Sequence, residues 1–281
     1  MFNGSRLTLA RKRRQLTKKE LAEKAQLTAL TLTRLEAGDT PEPGSDTVRA
    51  LAHALNYPTE FFYLCDSGWD VFMKLNREEA DTYLKNRADK GFNVIMAILI
   101  GFKPGEDDRN AYGEPPFIDK DPERPNENYF QHVDYIVKRA NSLGMFVAIA
   151  PSWSDWIYKY VPPGPHPFNA KNTRSFSEYV GRRYKNNDVI WVIGGDRNPE
   201  GYEDILRAMS AGLDEGDGTR DFLMTFHGEK NGKPMPPDEI YHERLCSSHL
   251  FGADGWLDFH GAYSGHQWAY PTYRLIEQDR A

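Results

Sequence analysis

The hydrophobic rhythm of the chain changes near residue 60. Up to that point apolar residues recur at the three-to-four spacing of short amphipathic helices. Leu7, Leu9 and Ala10 mark the first of these. Thr17 stands as the N-cap of a second over 18–25, with Glu20 three residues on to complete a capping box. Thr28 caps a third that runs to Ala37 and is stopped by Gly38. Pro41, Pro43 and Gly44 predict a loop over 38–46, and a fourth helix over 47–55 gathers Val48, Leu51, Ala52 and Leu55 on one face.

From residue 61 onward short apolar runs alternate with amphipathic stretches. The runs predict strands over 61–65, 93–101, 145–150, 189–194, 222–225 and 257–259, and the stretches between them predict helices over 77–90, 128–142, 173–185 and 202–213. Strand, helix, strand repeated along a chain means parallel pairing with right-handed crossovers, in an open doubly wound sheet or a (β/α)8 barrel. No Gly-rich phosphate fingerprint follows the first run, which favours the barrel. The expected organisation is an all-α unit over 1–60 followed by an α/β unit of TIM-barrel type over 61–281.

Composition narrows the classes. The 281 residues are 40% hydrophobic and 27% charged, the balance of an ordinary globular chain and neither a disordered nor a membrane-spanning one. The two cysteines, Cys65 and Cys246, make neither a zinc cluster nor a disulfide scaffold, so a reducing compartment is expected. The first fifteen residues, MFNGSRLTLARKRRQ, lack the apolar core of a signal peptide; the expectation is a cytoplasmic protein with no membrane partner. No ligand cluster has metal spacing, and no cofactor is expected. Charge is uneven: residues 1–60 hold ten Lys/Arg against seven Asp/Glu, whereas 61–281 hold 25 against 34. Different partners are expected for the two parts.

Residues 16–38, LTKKELAEKAQLTALTLTRLEAG, resemble the helix-turn-helix of the phage-repressor (Cro-like, XRE) family, and the likeness runs to about Phe62. Leu21, Ala22 and Ala25 would face Leu27, Leu32 and Leu35 around a tight turn. The second helix of the motif would then turn Thr28, Ala29, Thr31, Thr33 and Arg34 toward the major groove of duplex DNA. Lys18, with Arg11, Lys12, Arg13 and Lys19, would meet phosphates. Two positions depart from the family. Gln26 occupies the turn where glycine is usual and must take an unusual backbone angle or shift the turn, and Leu30 replaces a polar base-reading residue, leaving a thymine methyl as its partner. The alternative is a helical cap whose basic run is a solvated face.

The sharpest signal in the acidic part is VIWVIGGDRNP over 189–199, an apolar run ending in two glycines and then Asp196. A carboxylate at the carboxyl end of a barrel strand stands where barrel active sites are built, and suits a catalytic acid; the alternative is a helix cap. This motif, with FFYLCDSGWDVFMKLNREEADTYLKNRADKGFNVI, PSW at 151–153 and LDFHGAYSGH at 257–266, resembles the apiosidase-like glycoside hydrolases across nearly all of 61–281. The resemblance implies a (β/α)8 barrel that hydrolyses glycosidic bonds in plant-type oligosaccharides, with Asp196 at the acid/base position. Further residues fall at expected strand ends. Trp69, Trp153 and Trp156 would stack on sugar faces; Asp66, Asn198, His227, Ser264 and His266 would bond hydroxyls.

Glycoside hydrolysis normally needs two carboxylates. The family's second, a glutamate, comes from strand seven, and the 221 residues of 61–281 fall short of the roughly 250 of a typical barrel, so strands seven and eight are expected to be missing. Asp66, Asp155, Glu229 and Asp258 are the possible substitutes, and their spacing favours none. Two readings stay open: a glycoside hydrolase joined to a DNA-binding module, its activity limited by the missing carboxylate, or a DNA-binding regulator whose barrel only senses sugar or acts as a scaffold.

Overall fold

The structure, a computed structural model, describes residues 2, 4–40, 43–55, 57, 65–105, 108–157, 167–196, 199, 201–228 and 251–259. Four helices come first: α1 (Gly4–Arg13), α2 (Lys18–Lys24), α3 (Ala29–Ala37) and α4 (Ser45–Leu55). The predicted caps are in place. Thr17 and Glu20 form a reciprocal capping box at α2, and the Thr28 side chain accepts the Thr31 N–H at α3. Leu7, Leu21, Leu32, Leu35, Leu51 and Leu55 are fully buried together and close this part around its own core.

Both helices of the motif stop by the same device. At the end of α2 the Leu27 N–H reaches the Ala22 carbonyl and the Gln26 N–H the Glu23 carbonyl, the bond pair of a Schellman turn. Gln26 itself sits at φ 55°, so of the two options open to it, an unusual angle or a shifted turn, the chain takes the first. At the end of α3 the same pair of bonds brackets Gly38 at φ 82°. Arg11 departs from the sequence reading: its guanidinium grips Glu36 at 2.6 and 3.0 Å and the Leu16 carbonyl at 2.9 Å. With its side chain only 11% exposed, Arg11 pins α1 to α3 and is not presented to a phosphate. Burial alone would raise the Glu36 carboxyl, but the hydrogen bonds from Arg11 and Lys18 outweigh it and hold Glu36 below the usual carboxylate range.

The second part begins with β1 (Cys65–Ser67), α5 (Val71–Lys74) and α6 (Arg77–Asp89), then β2 (Val94–Ile98), α7 (Glu127–Ser142) and β3 (Phe146–Ala150). It continues through α8 (Ala170–Tyr184), β4 (Val189–Gly194), α9 (Glu203–Asp217) and β5 (Leu223–His227). The five strands are all parallel and lie in chain order, each bonded to the next. A doubly wound sheet reverses its strand order at a switch point; this one does not, and the winding is that of a (β/α)8 barrel. The described residues therefore form a helix-turn-helix module and the first five strands of an incomplete TIM-type barrel.

Of the strand predicted over 61–65, residues 61–64 lie outside the described part, and the described strand runs from Cys65 to Ser67. One strand expectation is corrected. Residues 257–259 are not in a strand: Asp258 exchanges bonds with Met224 through its N–H (2.9 Å) and its carboxylate (2.8 Å), but no ladder develops among the described residues.

The helical layer depends on close approach at α8 and α9. A Cβ added at Gly181 would lie 2.6 Å from the Leu213 carbonyl oxygen, and one at Gly212 or Gly216 would overlap the carbonyl of Arg174 or Glu178. Arg183 ties α8 to α7, donating to Asp134 at 2.8 and 2.9 Å, to both Glu127 oxygens at 2.8 Å and to the Tyr179 hydroxyl at 2.7 Å. The close packing sets a testable limit. Gly216→Ala should destabilise the chain by about 1–3 kcal/mol, the usual cost of overpacking, read as a lower urea midpoint at unchanged slope; an unaltered midpoint would mean that the two helices are not held at this distance.

Candidate active site

Parallel strands end on one side, so whatever follows them is collected there. Each of the five strands delivers one residue to that end. Trp69 follows β1, Phe102 follows β2, Trp153 follows β3, Asp196 follows β4, and His227 is the last residue of β5. The rings pack edge to face, except that Trp153 and His227 are tilted at 57°. Trp153 lies 5.3 Å from Trp69, 5.5 Å from Phe102 and 5.1 Å from His227 between centroids, and Trp69 lies 6.0 Å from His227. Such contacts are worth about 0.5–1.5 kcal/mol each beyond simple burial, which is enough to fix the ring positions.

The turn after β4 carries the carboxylate through a space too narrow for side chains. A Cβ on Gly194 would come within 2.5 Å of the Phe226 ring and 2.8 Å of the His227 carbonyl oxygen; one on Gly195 would come within 2.5 Å of the Trp153 ring. Both glycines have positive φ, 90° and 148°, and Asp196 follows at 55°. Aspartate is among the few side chains that tolerate this region, so the sequence G-G-D suits the backbone as well as the chemistry. Asp196 Oδ1 lies 3.9 Å from His227 Nδ1, and the Asp196 backbone N–H faces the same nitrogen with N···N 3.4 Å. Burial lowers the His227 pKa, against the opposing pull of the Asp196 charge, so the imidazole is held neutral at pH 7.

The other expected residues divide clearly. Asp66 lies inside β1 and not after it, and its Oδ2 accepts from Tyr83 at 2.5 Å and from Arg87 at 2.6 Å, both on α6. It serves as a strand-to-helix tie. Burial and the Asp66 carboxylate push the Tyr83 hydroxyl well above the usual phenol range. Trp156 is also structural: it is 2% exposed, donates its ring N–H to the Gly101 carbonyl at 3.0 Å and packs against Phe117 and Phe168. Trp153, at 6% exposed, is the floor on which Gly195 and His227 rest, so its ring is largely covered by protein, whereas Trp69 is half-buried. Asn198, Ser264, His266 and Glu229 lie outside the described residues. Phe102 was not singled out from sequence; the one signal that could have found it is its place just after Gly101, beyond a strand end.

On the helical module, Ala29, Leu30, Thr33 and Arg34 of α3 are exposed along one face, with Leu30 at 60%. Thr28 is exposed and Thr31 half-buried, and their hydroxyls bond to each other at 2.8 Å as part of the helix cap. Lys18 is exposed with its ammonium 3.4 Å from Glu36. Among the described residues no helix is long and apolar enough to cross a membrane.

Two family models match the chain, and their matches overlap over residues 45–62. A helix-turn-helix family model matches residues 7–62, and the model described as "Apiosidase-like, catalytic domain" matches residues 45–281. Among solved structures, a glycoside hydrolase family 5 protein from Bacteroides vulgatus is 26% identical with a TM-score of 0.59, covering 73% of this chain and 41% of its own. A structure described as a glycoside hydrolase is 24% identical with a TM-score of 0.62, covering 77% of this chain and 48% of its own, and is similar in fold. The chain thus spans less than half the length of these two neighbours. No curated protein matches it. Five parallel strands in chain order, an aspartate after the fourth and a match over 45–281 agree on one conclusion: the chain belongs to the apiosidase-like catalytic domain family, here joined to a helix-turn-helix module.

Proposed function

We propose that the barrel part cleaves glycosidic bonds in plant-type oligosaccharides, with Asp196 as the acid that protonates the leaving oxygen. The observation that carries this reading is the G-G-D turn, which projects a carboxyl at the carboxyl end of β4 with its Oδ1 3.9 Å from the His227 ring. Trp69 and Phe102, both half-buried, offer apolar ring surface to the face of a sugar, and His227 borders the same space.

A second carboxylate is needed for either stereochemical outcome. Asp66 is a poor candidate because Tyr83 and Arg87 occupy its Oδ2, and Asp258 is another because it binds Met224 toward the amino end of β5, away from His227. Asp155, half-buried two residues beyond Trp153, is the best supported of the described ones, and Glu229, two residues beyond His227, is the other candidate.

The helical module is proposed to bind duplex DNA through the exposed face of α3, with the unit ending near residue 60. Ala29, Thr33 and Arg34 would enter the major groove, Leu30 would meet a thymine methyl, and Lys18 would meet a phosphate. Thr28 and Thr31 act mainly in the cap, where their hydroxyls bond to each other. The two proposals are independent: one part reads DNA, the other acts on a sugar.

Each has its own test. Asp196→Asn should lower kcat on aryl glycosides or pectic side-chain oligosaccharides by at least about a hundredfold, the usual share of a general acid, with little change in KM. Equal rates for variant and wild type would reject Asp196 as the acid. For the helical module, duplex affinity should fall steeply with added salt and weaken further in Arg34→Ala and Lys18→Ala. An absence of duplex binding by the full chain at low salt would overturn the DNA reading.

A further inference from the structure

His227 is in an unusual position for a residue whose task is only to line a cleft. It is the final residue of β5, directly across the ladder from Gly194, so its imidazole stands beside the turn that carries Asp196. The ring body is walled by Trp153 at 5.1 Å and Trp69 at 6.0 Å, and the side chain is 11% exposed. What the ring offers the turn is Nδ1. That atom is 3.4 Å from the Asp196 backbone nitrogen and 3.9 Å from Asp196 Oδ1.

We propose that His227 is a positioning residue for Asp196: its Nδ1 accepts the Asp196 backbone N–H and thereby fixes the turn from which the carboxyl projects. The inference rests on reading Asp196 as the acid, and it adds a residue that acts through that acid and not on the sugar. Three observations support it. The backbone at Gly195 and Asp196, with φ of 148° and 55°, aims the Asp196 N–H at β5, where ladder partners end. The amide is part-buried, and Nδ1 stands 3.4 Å from its nitrogen as an acceptor. Burial also keeps the imidazole neutral, which leaves one ring nitrogen with a free lone pair.

The same nitrogen has a competing partner. The Gly228 carbonyl oxygen lies 3.2 Å from Nδ1 and would accept a proton carried there. Nδ1 cannot accept from Asp196 and donate to Gly228 at once. The proposal therefore commits to the tautomer with its proton on Nε2, in which Nδ1 serves the catalytic turn.

The experiment uses the full chain as wild type, His227→Asn and His227→Phe. An asparagine side chain places an acceptor where Nδ1 stands but has nothing at the Nε2 position; phenylalanine keeps the ring and loses both nitrogens. Hydrogen exchange at the Asp196 amide, followed by NMR, should be at least about tenfold faster in His227→Phe than in wild type and close to wild type in His227→Asn. On an aryl glycoside, His227→Phe should lose about ten- to a hundredfold in kcat with KM nearly unchanged, and His227→Asn should recover most of the loss. A raised KM in both variants would instead make His227 a sugar contact and overturn the proposal. If wild type shows no turnover, the enzyme reading fails and the exchange measurement decides alone: equal protection in wild type and His227→Phe overturns it. Should His227→Phe not fold, the imidazole 15N shifts of wild type decide, and a proton on Nδ1 would sink the idea.

Discussion

At the carboxyl end of β4 there is room for a backbone and no room for a side chain. The Phe226 ring, the His227 carbonyl and the Trp153 ring close in on residues 194 and 195 from two neighbouring strands, and only glycine at both positions lets the chain pass. Everything assigned to the candidate site follows from this crowding. It brings Asp196 out in a left-handed conformation, presses Trp153 into the role of a floor and sets the turn after β4 against the imidazole of His227. Parallel pairing in chain order then makes the arrangement collective, since Trp69 and Phe102 reach the same end from β1 and β2.

The helical module is governed by a different economy. Its core is a small set built around leucines, α2 and α3 stop at left-handed residues, and a largely buried ion pair joins α1 to α3 through Arg11 and Glu36. Gln26 performs a task usually given to glycine, at a cost of about 1 kcal/mol that the surrounding packing offsets. What it leaves outside is an α3 face with small residues, one exposed leucine and one arginine. The apolar clusters of the two parts are separate: one is drawn from residues between Phe2 and Leu55, the other from residues between Val71 and Trp256. We take this as support for two units meeting near residue 60.

Local chemistry was legible in the sequence and long-range pairing was not. The Thr17–Glu20 capping box, the stop at Gly38, the left-handed Gln26 and the G-G-D turn after β4 depend on neighbours within a few residues, and each stands where the sequence analysis expected it. Asp66 and Arg11 were misjudged because their partners are distant in the chain: Tyr83 and Arg87 for one, Glu36 for the other. Trp156 looks like a stacking platform until the Gly101 carbonyl takes its N–H, and Phe102 has no periodic pattern to announce it. The run 257–259 has the apolar character of a strand, but strand identity is settled by a neighbour's free edge and register. Sequence periodicity carries neither.

The claim on which the account rests is that the two glycines after β4 exist to place Asp196. Gly195→Ala tests it most directly, because the added Cβ would meet the Trp153 ring at 2.5 Å and the backbone angle of 148° is one that L residues rarely adopt. Steady-state hydrolysis of an aryl glycoside by this variant is the measurement, with thermal unfolding to confirm that the chain still folds. The account predicts a folded protein whose kcat falls by at least about tenfold, since a displaced acid loses its alignment with the leaving oxygen. A folded Gly195→Ala protein with the wild-type kcat would contradict it.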